Sequence, residues 1–362
     1  MLRSLVGSEM CIRDRFSNVT RESNVIVSAT FAFGAVWSDM DGDRFPELLI
    51  PGDFGTSRYY RNNRDGTFTE LDPGTGLQAN PGADQWTVGK AYNGMGTTIG
   101  DFNRDGLPDW FITAIWPTFE FASEFWGNGL YLNQGNHIYS EISEGAGVND
   151  GGWGWGTSAV DLNNDGWTDI IMTNGWPFTG RITGESFLNE RSYVWRNRGD
   201  LNFEEVGMSA GLDHIGQGRT LLHLDYDRDG DIDIVILSNM EPMRLYRNDI
   251  IKKNRPRDTR WVQIKLDTSN NSALAPHGVG ATVTVKADGV EQYQQVVTGG
   301  TFLGQSELVT HFGLGNARRI QKITVDWGNG RKTRLSNYRS NRRITVKAPC
   351  TNGRNHRAAR CK

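Results

Sequence analysis

Short apolar runs recur through the first two thirds of the chain, and each follows directly on a cluster of acidic residues. The runs are Leu48-Leu49-Ile50, Trp110-Phe111-Ile112, Ile170-Ile171-Met172 and Ile234-Val235-Ile236. They are rich in β-branched and aromatic side chains and bounded by turn formers, which predicts buried strands. A glycine-containing segment precedes each acidic cluster, at residues 33–36, 94–97, 154–157 and 216–219. These predict strands whose small residues let backbones approach closely. Downstream a third signal repeats: Tyr59-Tyr60-Arg61-Asn62, Leu130-Tyr131-Leu132-Asn133, Val194-Trp195-Arg196-Asn197 and Leu245-Tyr246-Arg247-Asn248. Three copies run on through a glycine turn into another strand signal, at residues 68–71, 139–142 and 203–206. One unit of about 60 residues thus holds roughly four strands, the signature of a β-propeller blade. Helical periodicity is nearly absent.

The acidic clusters share one spacing. Candidate ligands fall at positions 1, 3, 5, 7 and 9 of a nine-residue loop. In the first loop they are Asp39, Asp41, Asp43, Phe45 and Glu47, and in the second Asp101, Asn103, Asp105, Leu107 and Asp109. The third has Asp161, Asn163, Asp165, Trp167 and Asp169, and the fourth Asp225, Asp227, Asp229, Asp231 and Asp233. The first aspartates stand 62, 60 and 64 residues apart. Calcium is a hard cation that takes six to eight oxygens at about 2.3–2.6 Å. Side chains at 1, 3 and 5, a backbone carbonyl at 7 and a carboxylate at 9 could wrap it, giving up to four Ca2+ sites. Gly106, Gly166 and Gly230 at position 6 permit the sharp turn; Arg44 stands there in the first loop. An EF-hand would need a bidentate Glu at position 12, where this chain has Ile50, Ile112, Met172 and Ile236. The bland alternative is a set of Asp/Asn/Gly turns that bind nothing.

From Trp261 the repeat gives way to a different all-β pattern. Strands are predicted at 261–267, 279–287, 290–298, 307–312, 320–327, 331–336 and 342–348, with a hairpin turn at Asp288-Gly289. The acidic loops with their flanking strands resemble FG-GAP/VCBS repeats. Gly278-Val279-Gly280-Ala281-Thr282-Val283-Thr284-Val285, His311-Phe312-Gly313-Leu314-Gly315 and Ile323-Thr324-Val325-Asp326-Trp327-Gly328-Asn329-Gly330 resemble the ASPIC/UnbV domain. The pairing is similar to the cartilage acidic protein family and its bacterial relatives. That resemblance implies a calcium-stabilised propeller of seven blades and a β-rich C-terminal domain, on an exported protein. It carries the loop ligands over at all four sites and offers no catalytic residues. The expected fold is therefore all-β: a partial β-propeller, about four blades of seven, followed by a smaller β-sandwich-like domain.

Charge divides the chain at the same place. Residues 1–250 carry 18 Lys+Arg against 36 Asp+Glu, and residues 251–362 carry 21 against 6. The expected organisation is blades at 16–250, a charged linker at 251–260, the second domain at 261–348 and a basic, disordered tail at 349–362. Leu5 to Arg15 resembles a translated transposase sequencing adapter, so residues 1–15 are set aside. Phe16-Ser17-Asn18-Val19 matches the last strand of a blade, which predicts that further blades, and an export signal, precede it. Cys350 and Cys361 suit a local disulfide or two unrelated thiols. The chain holds no run of 18 apolar residues, so no transmembrane helix is expected.

Six dispersed histidines argue against a histidine metal site, and His311 reads as structural. Trp155 reads as blade core, with Trp116, Trp126 and Trp176 as weak sugar-contact candidates. The basic C-terminal half reads as a solvated surface or as docking onto the acidic propeller, with no nucleic acid expected. The sequence has no nucleophile elbow, phosphate loop or dinucleotide fingerprint. Together these point to a secreted, non-enzymatic calcium-binding protein for adhesion to an extracellular polysaccharide or protein. The alternative is a propeller-based polysaccharide lyase or hydrolase.

Overall fold

The computed structural model describes residues 16–26, 31–72, 77–78, 93–116, 127–176, 187, 189–253 and 259–350. Four antiparallel sheets follow one another along the chain, each a meander with its strands in sequence order. The first holds Val36–Ser38, Glu47–Ile50, Arg58–Asn62 and Phe68–Asp72, with Leu77–Gln78 added at its edge. The second holds Thr97–Gly100, Asp109–Ile112, Gly129–Asn133 and Tyr139–Glu141. Gly154–Val160, Asp169–Asn174, Tyr193–Asn197 and Phe203–Glu205 form the third. The fourth has three strands, Gly218–Leu224, Asp233–Ser238 and Arg244–Tyr246. The first strand of each sheet packs beside the first strand of the next. These sheets are the blades of a β-propeller, and each acidic loop joins a blade's first strand to its second.

The second strands Glu47–Ile50, Asp109–Ile112 and Asp169–Asn174 are buried at every position. Blades on either side cover Asp109–Ile112 and Asp169–Asn174, whereas Glu47–Ile50 meets the second blade through Leu49 and packs Leu48 and Ile50 with Tyr60, Val25 and Phe68. Burial on both faces explains why the sequence shows apolar runs there rather than alternation. Leu49 and Tyr59 of the first blade pack with Trp110 and Tyr131 of the second. Phe111 and Leu130 pack in turn with Met172, Trp195 and Phe203 of the third. Among the described residues the fourth blade has no outer strand, and no glycine turn follows Asn248. The chain instead forms the short helix Ile250–Lys253, whose Ile251 N–H donates to Asp231 Oδ2 at 2.9 Å.

The C-terminal residues form a second, smaller sandwich. Arg260–Asp267 lies between Val309–Gly315, antiparallel, and Arg342–Lys347, parallel. The facing sheet has the order Val290–Gln295, Thr282–Ala287, Arg319–Asp326, Lys332–Arg339. Alternation turns Val283, Val285 and Ala287 inward onto Val262, Ile264, Phe312 and Ile344. Asp288 and Gly289 take φ of 50° and 83°, the left-handed pair of a tight hairpin turn. Four predicted strands have different limits: the one expected at 279–287 begins only at Thr282, and the one expected at 331–336 runs on to Arg339. The one expected at 307–312 runs Val309–Gly315, because Gly313 and Gly315 still pair with Trp261 and Arg260. The one expected at 290–298 stops at Gln295, because the chain turns away to reach the propeller.

That excursion touches all four blades. A Cβ built on Gly299 would lie 2.6 Å from the Ala35 carbonyl oxygen. Thr97 N–H donates to Gly300 O at 3.3 Å, and a Cβ on Gly156 would lie 3.0 Å from Thr301 O. Thr220 Oγ1 donates to Phe302 O at 2.9 Å, and His223 N–H to Ser306 Oγ at 3.1 Å. The Phe302 ring meets Trp155 edge-on at 5.0 Å. Trp155 is buried, and Trp176 stacks on Trp153 at 4.6 Å. Trp116 is half-buried, and Trp126 lies outside the described residues. Cys350 is disulfide-bonded; Cys361 lies outside the described residues. Among the described residues, no helix is long and apolar enough to cross a membrane.

Candidate metal centres

All four loops fold alike, because each carboxylate is used by the backbone that follows it. At position 1, Asp39, Asp101, Asp161 and Asp225 accept the N–H of position 6 at 2.8, 3.1, 2.6 and 3.1 Å. At position 3, Asp41, Asn103, Asn163 and Asp227 accept the N–H of position 5. At position 5, Asp43, Asp105, Asp165 and Asp229 accept the N–H of Phe45, Leu107, Trp167 and Asp231. Such bonds bend the chain round its own acidic side chains, as Asx turns do. Positions 4 and 6 both take left-handed backbone. Position 4 is Gly42, Arg104, Asn164 and Arg228, and position 6 is Arg44, Gly106, Gly166 and Gly230. Arg44 adopts φ 77° with no glycine to ease it, at a cost of roughly 1 kcal/mol.

Position 9 does something further. Glu47, Asp109, Asp169 and Asp233 are all fully buried. One oxygen of each accepts the N–H of position 2, from Met40, Phe102, Leu162 and Tyr226 at 2.8, 2.9, 3.0 and 3.1 Å. The other oxygen accepts the N–H of an asparagine at or just past the end of the third strand: Asn62, Asn133, Asn197 and Asn248, at 3.3, 2.8, 2.8 and 2.8 Å. Those asparagines then reach backwards. Asn133 Nδ2 donates to Met40 O of the preceding blade, Asn197 Nδ2 to Phe102 O and Asn248 Nδ2 to Leu162 O, each at 2.8 Å. The recurring asparagine was visible in the sequence, but its role as a clasp between blades was not.

Burial sets the electrostatics. It pushes Asp39 and Asp101 up to about 6, Asp161 to about 7, Glu47 to about 8 and Asp233 to about 6. Asp225 is raised, and Asp109 and Asp169 are held well above the usual carboxylate range, for the same first reason. Neighbouring loop carboxylates add to the rise, and backbone N–H donors oppose it. Oxygen atoms of Asp39, Asp41 and Glu47 lie within 4.8 Å of one another, as do those of Asp225, Asp227 and Asp229. Two position-1 oxygens, Asp161 Oδ1 and Asp225 Oδ1, are buried with no hydrogen-bond partner. A buried carboxylate oxygen without a donor is costly unless a cation sits against it. The donor sets are all oxygen, which suits a hard divalent ion.

The loops are not equivalent. In the first, Arg64 pairs with Asp43 and lies 3.9 Å from Asp41, while His137 Nε2 of the next blade stands 3.4 Å from Asp41 Oδ2. The second and third are tied together by Arg104, which stacks 3.5 Å over Trp167 and donates to Gly166 O and Asp165 O. In the fourth, the Asp231 side chain is occupied by Asn164 Nδ2 and Ile251 N–H, leaving its carbonyl as the group it can offer a cation.

Three stretches of the chain match known protein families. Residues 271–352 match the family described as "ASPIC and UnbV". Residues 39–112 match "FG-GAP-like repeat" and residues 153–184 "FG-GAP repeat". Human cartilage acidic protein 1 is 24% identical over 302 residues, covering 79% of this chain, and the Xenopus tropicalis protein of that name is 28% identical over 293. The chain spans 39% of the human protein's length and 40% of the Xenopus one. A solved structure, the V. cholerae biofilm matrix protein Bap1, shares 11% identity, with 83% of this chain and 48% of that chain covered at a TM-score of 0.25. The repeated loops, the blades that carry them and the sandwich that follows identify the chain as an FG-GAP repeat protein with an ASPIC/UnbV domain, homologous to cartilage acidic protein 1.

Proposed function

We propose that this chain is part of a secreted, calcium-binding propeller protein that recognises an extracellular polysaccharide or protein without transforming it. The observation that carries the calcium reading is the set of four loops in one register, two of which bury an undonated position-1 oxygen. The side chains at positions 1, 3, 5 and 9 would hold Ca2+, with the carbonyls of Phe45, Leu107, Trp167 and Asp231 at position 7. The ion would supply positive charge to carboxylates that burial otherwise keeps from ionising. Similarity to a protein named for cartilage supports an extracellular setting. The blades at 16–250 and the domain at 261–348, joined through 251–260, are the functional units of this reading.

Calorimetric titration with Ca2+, paired with thermal melts, tests the proposal. Saturable binding and a higher melting temperature are expected; a melting temperature indifferent to calcium sinks it. The first loop should be the weakest, since the Arg64 guanidinium competes for Asp43 and Asp41. Arg64→Ala is therefore expected to tighten calcium binding at that loop about threefold to tenfold. An unchanged or weaker first-loop affinity in the titration would show that Arg64 does not compete there.

A further inference from the structure

The sandwich does not merely sit on the propeller; it reaches the acidic loops themselves. At the fourth loop, Gln263, almost fully buried, donates from Nε2 to Asp225 Oδ2 at 2.8 Å. Gly230 N–H takes the same oxygen at 3.1 Å, so Oδ1 is the atom left undonated. Trp261 stands against Gly230 so closely that a Cβ there would lie 1.8 Å from its ring. At the third loop, a Cβ on Gly313 would lie 1.9 Å from Asp161 Oδ2 and 2.5 Å from the Asn164 backbone. His311 Nε2 meets Asn164 Oδ1 at 2.7 Å, and Gly315 N–H donates to Asn164 O at 2.9 Å. At the first loop, Gln295 Oε1 accepts the Asp39 N–H at 3.1 Å while its Nε2 donates to Asp39 O at 3.2 Å.

We propose that the ASPIC/UnbV domain completes the cation centres of the propeller, with Gln263 as the positioning residue of the fourth loop. Cation occupancy and docking of the two domains are then one linked equilibrium. The contacts named above are made by amides, an imidazole, an indole ring and bare glycine backbone rather than by the domain's many arginines and lysines. A lysine or arginine on Asp225 would take the place of the cation. A glutamine can hold one carboxylate oxygen and leave the other for the ion, because its amide carries no net charge. The interdomain pair Arg44–Asp326, 3.5 Å, even runs against the bulk charge of the two halves. By reciprocity, whatever draws the sandwich away must loosen the cation by the same factor, and the cation must hold the sandwich in place.

This inference rests on the calcium reading, and one experiment separates the two. Calcium titrations by calorimetry would be run on the full chain, Gln263→Ala and Gly313→Val, together with hydrogen exchange of the strands Arg260–Asp267 and Val309–Gly315. Gln263→Ala removes one hydrogen bond to a carboxylate and should weaken one calcium step about tenfold. Gly313→Val wedges the interface and should weaken the third-loop step about as much, with faster exchange in both strands. Calcium should slow that exchange in the unsubstituted chain. If that chain binds no calcium, the calcium reading fails. If it binds, but both variants titrate identically to it and exchange ignores calcium, the coupling is overturned and the reading stands. Circular dichroism confirms that each variant is folded, and Gln263→Ala, which creates no clash, keeps the test meaningful if the wedge unfolds.

Discussion

Asp169→Ala is expected to lower stability by about 4 kcal/mol, because it orphans two buried N–H donors at once. Its carboxylate accepts Leu162 N–H at 3.0 Å and Asn197 N–H at 2.8 Å, and Asp169 itself is 1% exposed. Each unsatisfied donor costs about 1–3 kcal/mol, and the truncation leaves a small void besides. For a protein of this size the melting temperature should fall by roughly 5 °C. Asp169→Asn keeps an acceptor for one donor and turns an amide nitrogen towards the other, so about half the loss should remain. Equal losses in the two variants, measured by thermal melts in calcium-free buffer, would mean that ionic charge rather than hydrogen bonding is what Asp169 contributes.

The second large effect is in the pH dependence. The loop carboxylates are raised by burial to about 6 for Asp39, Asp101 and Asp233, about 7 for Asp161 and about 8 for Glu47. Their usual values are 3.8 for Asp and 4.5 for Glu. A carboxyl group whose pKa is raised by folding favours the folded chain below its unfolded pKa. It loses that contribution as pH rises through the folded value. The metal-free protein should therefore melt at a progressively lower temperature between pH 5 and 8. Calcium requires the ionised groups, so its stabilising increment should grow over the same window. At calcium about 100-fold above the dissociation constant, each site adds about 2.7 kcal/mol, or roughly 4 °C. An increment as large at pH 5 as at pH 8 would show that these buried carboxylates are not the ligands.

Much of this was legible in the sequence, for physical reasons that differ from residue to residue. The shared fold of the loops could be read because acidic or amide side chains at every second position bend the backbone round themselves, and four copies in one register repeat that turn. The second strands could be read because burial on both faces leaves uniform apolar runs such as Ile170-Ile171-Met172. That the fourth blade has no outer strand among the described residues was foreshadowed by the absence of a glycine turn after Asn248. Other features had no local signature. The Asn197 side chain finds Phe102 O across 95 residues of chain. Gln263, Gln295 and His311 occur once each, outside any repeat, and matter only because two domains meet there. Charge segregation suggested docking between the halves, yet the contacts it pointed to are mostly neutral.

The backward reach of the asparagines gives the propeller a direction. Asn133, Asn197 and Asn248 each fasten to the loop backbone of the blade before, so a blade cannot open without stripping a donor from its neighbour's Met40, Phe102 or Leu162 carbonyl. In the statistical language of linear arrays, the clasps are nearest-neighbour coupling terms added to each blade's own stability. Strong coupling lengthens the stretch of chain that melts together, so the four blades should share one transition even where their individual stabilities differ. An ion bound at any one loop then steadies the whole row, and the weakest blade borrows its persistence from the strongest.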